Sequence, residues 1–336
     1  MTAVVLAPGT PSSVGGLPYR DVHVAARAAL ALTPDLPAAP QLPQRHPKEW
    51  MLAQVAAGMP GVRAALGGAG LVVDRRRFGP GDSADPLDPV AWAATLAFLH
   101  AAAADDRHGP VKLQVAGPIT LGLALRAAGV PSGEAFAVAG RVVAGRVRAL
   151  VETSASVVPS APVVLVLDEP GLTATGDPSF PLGPDETIDL LSSGLAAAGS
   201  AMQAGIHCCG PTDWRLVLQA GPDLVSMPVD ERVSDDAAVL STFLERGGWI
   251  AWGAVPTDRP LGDRGDAQWR RLTQLWCDLS RNGCDPMLLR TQAILTPACG
   301  LALHRAEQVE TIFGLVRQMA ERVHDQALAA RMSAGA

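Results

Sequence analysis

From about residue 110 to residue 325, short runs of Val, Ile and Leu alternate with longer stretches of helical spacing. The runs are "VKLQVAG" at 111–117, "VVLVLDEP" at 163–170 and "LVSMPV" at 224–229, with "AGIHCC" at 204–209 and "WIAWGAV" at 249–255 as weaker members. Their near-continuous apolar character is that of parallel strands covered on both faces. Before the first run, Asp88 and Pro89 predict a helix N-cap followed by proline at the first helical position. Trp92, Leu96 and Leu99 then keep helical spacing. Phe136, Val143, Val147 and Leu150 mark one apolar helical face, and Val309, Ile312, Phe313, Val316 and Val323 mark another. Further upstream, "SSVGGLP" predicts a first strand with its turn, and "GLVVDRR" a second strand.

Alternation over this length requires a parallel sheet, either an eightfold barrel or an open doubly wound sheet. No strand is followed by a convincing G-x-G-x-x-G, and there is no G-x-x-x-x-G-K-[ST], which disfavours the nucleotide-binding open sheet. The expected fold class is α/β, a single (β/α)8 TIM barrel formed by 1–336 as one domain, with 1–11 and 327–336 as frayed ends.

A chain that is 48% hydrophobic and 18% charged has the apolar material for a large core. Its net charge of −6 argues against a nucleic-acid or anionic-membrane partner. No apolar run approaches a membrane span, and "MTAVVLAPGTPSS" lacks the basic start of a secretion signal. Five cysteines in a long chain do not make a disulfide framework, so the expected compartment is the cytoplasm, with thiols reduced and available to metal.

In a parallel barrel the chemistry comes from loops at the carboxyl ends of the strands. "GGLP", "GP" at 117–118, "DEPGL" from Asp168, "HCCGP", "PVDER", "GAVPTD" and "LTPACGL" all fall at such ends. In an extended segment His207 and Cys209 point to the same side and Cys208 points away. Cys299 lies 90 residues beyond Cys209, at another predicted strand end. One His and two Cys with an open position form a catalytic zinc arrangement, although packing is the commoner reason for a lone His-x-Cys. Cys277 and Cys284 read as structural, and His46 and His304 as surface residues. Asp168 and Glu169 serve either as a ligand clamp or as a strand-end turn or helix cap. Gly15 and Gly16 are either at a binding loop or simply at a tight turn.

Taken together and in this order, "DEPGL", "HCC" and "PACGL" resemble the catalytic barrel of cobalamin-independent methionine synthase. That family belongs to the superfamily that also holds uroporphyrinogen decarboxylase and the zinc methyltransferases acting on corrinoid proteins. "SVGGLP" and "LQVAGPITLG" match the family's I-G-S-F-P and G-P-x-T segments, so the resemblance runs from about residue 12 to 325. It implies Zn²⁺ held by His207, Cys209 and Cys299. The family's ligating Glu falls at Pro228 here, which leaves Asp230 or Glu231 as the expected fourth ligand.

Asp168 matches the Asp that holds the amino group of the substrate, and Glu169 stands beside it in the catalytic pair. Gly16, with Gly15 before it, occupies the substrate-binding place of the family's carboxylate-contacting serine. The implied reaction moves a methyl group from a methylfolate, or from a methylated corrinoid protein, to a thiol such as homocysteine. Trp252 either stacks on a pterin ring or packs in the core. The chain has the size of the catalytic barrel alone, as in the short relatives. Two rivals remain at this level. One is a metal-free, decarboxylase-like enzyme using arginines such as Arg20, and the other is a degenerate barrel that binds a small ligand without turnover.

Overall fold

The computed structural model describes residues 4, 6–68, 70–79, 87–200, 202–259, 261 and 265–334. Its strands are β1 (Thr10–Pro11), β2 (Val62–Ala64), β3 (Leu71–Val73), β4 (Val111–Ala116), β5 (Val163–Asp168), β6 (Gln203–His207), β7 (Leu224–Pro228), β8 (Trp249–Val255) and β9 (Ala293–Pro297). Seven of them form one parallel sheet in the order β1-β9-β8-β7-β6-β5-β4. Residues 36–41 close the gap between β1 and β4 through parallel bridges Ser12–Leu36, Gly16–Gln41 and Ala38–Lys112. Backbone bonds from Ala39 N to Lys112 O and from Lys112 N to Pro37 O, both 2.8 Å, complete this eighth stave. The sheet is therefore the closed barrel expected from the strand–helix alternation.

Strand periodicity divides the apolar residues between two cores. Val164 and Val166 of β5 point inward and pack with Leu36, Leu224, Ala251 and Ile294, together with Val4 and Leu6 from the start of the chain. Val163, Leu165 and Leu167 point outward into the main core beneath the helices. Each fully buried aliphatic side chain of this kind contributes about 1.5–3 kcal/mol relative to exposure. The covering helices are α1 (Val22–Leu32), α2 (Met51–Val55), α3 (Ala93–Ala104), α4 (Pro118–Ala127), α5 (Ser132–Val157) and α6 (Pro184–Ala196). They continue with α7 (Trp214–Gln219), α8 (Ala237–Glu245), α9 (Asp266–Arg281), α10 (Pro286–Thr291) and α11 (Ala306–Ala334). The expected apolar faces of α5 and α11 are buried: Phe136, Val143, Val147 and Leu150 in one, Val309, Ile312, Phe313, Val316 and Val323 in the other.

Four expectations need correction. "GLVVDRR" holds a strand, but β3 pairs antiparallel with β2 in a hairpin outside the barrel. The first barrel strand lies just ahead of "SSVGGLP", which supplies its end and turn. Asp88 does accept from Val90 N and Ala91 N at 2.9 Å, yet this caps a turn, and regular helix begins only at Ala93. Order also extends further toward both ends than the frayed 1–11 and 327–336: Thr10 and Pro11 form β1, and α11 runs to Ala334. Residues 1–3, 5, 335 and 336 of those ends lie outside the described residues.

Because every stave runs the same way, their carboxyl ends share one rim. From this rim the long connection 42–92 departs, carrying α2 and the β2–β3 hairpin. It is tied down by buried contacts, Gln41 Nε2 to Gln54 Oε1 at 2.8 Å and Gln54 Nε2 to Ala91 O at 3.0 Å. Among the described residues, no helix is long and apolar enough to cross a membrane.

Candidate functional site

Parallel registration brings the first groups together. His207 ends β6 directly opposite Asp168 of β5 on one side and Ser226 of β7 on the other. All three are buried, and His207 Nδ1 lies 2.8 Å from Ser226 Oγ. Cys208 turns outward into the main core, as the period-two reading expects, and burial pushes its thiol up to about 11. Cys209 returns to the inner side. There its thiol comes close enough to that of Cys299, two residues past β9, for the two to perturb each other, and Cys299 likewise interacts with the His207 ring. The thiol–thiol contact lowers the pKa of Cys209 and raises that of Cys299. An imidazole and two sulfurs distant in sequence thus converge at the rim. Among the described residues no group of three or more His, Cys, Asp or Glu is arranged to hold a metal ion.

The expected carboxylate ligand is engaged elsewhere. Arg232 grips Asp230 through Nε at 2.9 Å and Nη2 at 2.5 Å, and this side-chain pairing holds the Asp230 carboxyl below its ordinary range. Asp230 also caps the short 3-10 turn Glu231–Asp236 by accepting from Arg232 N at 3.0 Å. Glu231 is exposed on that turn. Neither side chain joins the sulfurs as a further ligand in a cluster.

Inside the barrel, below the sulfurs, sits a polar group that sequence reading passed over. Lys112 of β4 points inward, and its Nζ donates to Val14 O at 3.0 Å and to Gln114 Oε1 at 3.4 Å. Burial pushes this amine down to about 8, partly offset by the charge of Asp168. Gln114 donates in turn to Ala39 O. Asp168 is 4% exposed, and its Oδ1 has no hydrogen-bond partner. Burial raises the pKa of this carboxyl, while His207 and Lys112 pull it down. The missed signal was the alternation of polar residues within "VKLQVAG" and the lone Ser226 within "LVSMPV".

Glu169 is the partner of a helix end. Its carboxylate accepts from Ile119 N at 2.8 Å, Thr120 N at 2.7 Å and Thr120 Oγ1 at 2.5 Å, which satisfies the open amino end of α4. Burial nevertheless pushes this carboxyl up to about 7. Gly117 is required beside it, since a Cβ there would overlap the Glu169 carboxylate. Gly15 has φ +135°, and a Cβ on it would overlap the Gln114 amide. Gly16 packs against the loop that carries Cys299: its carbonyl accepts from Leu301 N at 2.7 Å, and a Cβ would stand 3.3 Å from Ala302 Cβ.

Cys209 and Cys299 line a cavity of about 700 Å³ at the rim, together with Pro228, Gly253, Ala298, Asp230, Asp258, Arg259 and Arg271. An irregularity at Gly253–Val255 in the β8–β9 ladder bends the strand beside it, as bulges near sites do. Among the described residues, none that line it is aromatic. Trp252 is fully buried against Trp276, edge-to-face at 6.3 Å, so it packs in the core. Cys284 is buried with Sγ 3.2 Å from Ala237 O, while Cys277 is exposed on α9. His46 caps a short 3-10 turn from a half-buried position, His304 is half-buried with an unpartnered Nδ1, and Arg20 is exposed.

No protein-family model matches the sequence, and no characterised protein matches it at the sequence level. Solved structures do match in fold. One is a B12-independent methionine synthase from Shewanella sp. W3-18-1 in complex with selenomethionine, with TM-score 0.60 and 14% identity. The match covers 96% of this chain and 100% of that one. Another, from Listeria monocytogenes, is described as a candidate vitamin-B12-independent methionine synthase. It matches with TM-score 0.59 and 13% identity over 91% of this chain and 85% of its own. Over nearly its whole length, this chain shares the barrel fold of these two proteins.

Proposed function

We propose that the protein is a zinc-dependent methyltransferase that methylates a thiol such as homocysteine, acting in the cytoplasm as one barrel. The observation that carries this reading is the convergence of His207, Cys209 and Cys299 from the ends of β6 and β9. The donor chemistry fits zinc, since imidazole and thiolate ligands with an open fourth position make a catalytic site. The two fold neighbours support the reaction class, because both are described as methionine synthases.

When bound, zinc supplies the Lewis acidity that keeps a substrate thiol ionised near neutral pH, where a free thiol with pKa about 8.5 is mostly protonated. The remaining work falls to the chain. Cys209 and Cys299 would hold the metal together with His207, which is steadied by Ser226. Asp168, buried with an unpartnered oxygen, is placed to receive the ammonium of an amino-acid thiol. Gly15 and Gly16 offer the substrate backbone rather than side chains, and Glu169 holds the α4 amino end that borders the site. The methyl donor is a methylfolate or a methylated corrinoid protein, and the cavity beside the sulfurs is where it approaches.

Metal analysis of protein purified without chelator, followed by transfer assays from methyltetrahydrofolate to homocysteine, tests the proposal. One equivalent of zinc is expected, and Cys299→Ala should lose both zinc and transfer. Wild-type protein without zinc would favour the metal-free, decarboxylase-like rival. Zinc bound without transfer from any donor would favour a barrel that only binds, a reading to which the engagement of Asp230 by Arg232 gives some weight.

A further inference from the structure

We propose that Ser226 is a positioning residue that decides which nitrogen of His207 is presented to a metal, by occupying Nδ1 and leaving Nε2 as the ligand. This rests on the zinc reading above. The two residues face each other in register across β6 and β7, and both backbones are pinned there. Cys208 N donates to Ser226 O at 3.1 Å, and Glu169 N donates to His207 O at 2.7 Å. The pair is buried, with His207 5% and Ser226 4% exposed, and Nδ1 and Oγ are 2.8 Å apart. The ring's other neighbours are the Cys299 thiol and the Asp168 carboxylate on the adjoining strand.

A hydroxyl is suited to this place because it both donates and accepts. When Nε2 carries the proton, the Ser226 O–H donates to Nδ1. When Nε2 offers its lone pair to a cation, Nδ1–H donates to Ser226 Oγ. One hydroxyl rotation therefore serves both tautomers without moving either strand. A backbone carbonyl, which only accepts, would enforce one tautomer, and a methyl group would leave Nδ1 buried and unpartnered.

The test uses the full-length chain loaded with zinc or cobalt(II), and compares wild type, Ser226→Thr, Ser226→Val and His207→Ala. Valine matches threonine in shape but lacks the hydroxyl, so the pair separates chemistry from packing. Chelator competition should show Ser226→Val weakened about 10- to 100-fold and Ser226→Thr close to wild type, the range seen when a ligand's outer partner is lost. Nitrogen-15 spectra of the zinc-loaded wild type should show His207 with Nδ1 protonated and Nε2 metal-bound. In Ser226→Val the cobalt spectrum should change as the ring loses its fixed orientation. Wild-type affinity in Ser226→Val, or a metal on Nδ1, overturns the inference and leaves the zinc site standing. Equal metal uptake by wild type and His207→Ala overturns both.

Discussion

Lys112 places an amine inside the barrel with two neutral acceptors and a carboxylate nearby, and burial brings its pKa to about 8. At and below pH 8 the amine is charged in both folded and unfolded chains, so the folded state bears the full desolvation cost. Between pH 8 and 10.5 the unfolded chain still holds the proton while the folded one releases it, and folding gains as pH rises. The gain of wild type over Lys112→Met across this window should be about 3 kcal/mol. Urea denaturation of both proteins at several pH values measures it, and a flat difference would mean the amine stays charged in place. That His207 and Cys209 share the inner side of the barrel was legible in the sequence, because period two and strand ends decide where they point. Lys112, Gln114 and Ser226 were not. Their apolar neighbours made each run look uniformly buried, and only barrel closure tells an inward polar residue from a chance one. Asp230 is the complementary case. Its place along the chain offered a carboxylate to the rim, and the structure pairs it with Arg232, two residues on.

At the scale of elements, α4 depends on a carboxylate from another strand end. Its amino end has Gly117 at the N-cap and Pro118 behind it, neither with a side chain that accepts a hydrogen bond, so Glu169 receives the amides of Ile119 and Thr120 from across the rim. Glu169→Gln would turn an N–H toward those donors. The expected cost is about 1–3 kcal/mol, the penalty for leaving buried groups unsatisfied. Thermal denaturation reads the loss, and hydrogen exchange should quicken at Ile119 and Thr120; unchanged exchange would show that the helix end is held otherwise. Strands β4 to β8 were readable as apolar runs between helices. The stave at residues 36–41 was not, because Pro37 and Pro40 lack the N–H that a ladder uses and hide it as a loop. Its pairing depends on neighbours that only the closed barrel supplies. The β2–β3 hairpin was misplaced for the complementary reason, since Leu71–Val73 has strand composition and nothing local distinguishes a barrel stave from a hairpin arm.

At the scale of the molecule, the proposed ligands join parts of the barrel that its hydrogen bonds do not join directly. His207 and Cys209 come from the end of β6, Cys299 from beyond β9, and β7 and β8 lie between them in the sheet. A cation shared by these groups would brace the rim across its opening, and any species that binds only the folded chain stabilises it by mass action. With free zinc at 100 times its dissociation constant, that stabilisation is about 2.7 kcal/mol. A chain of 336 residues unfolds with an entropy of about 0.7 kcal/mol per kelvin, so the melting temperature should rise by about 4 °C. Scanning calorimetry of chelator-treated and zinc-reloaded protein should show this shift in wild type. It should vanish in Cys299→Ala, where one side of the brace is missing, and persist in Cys277→Ala, whose exposed thiol on α9 lies outside the site. A shift of equal size in both variants would mean that zinc stabilises the barrel from somewhere other than this rim.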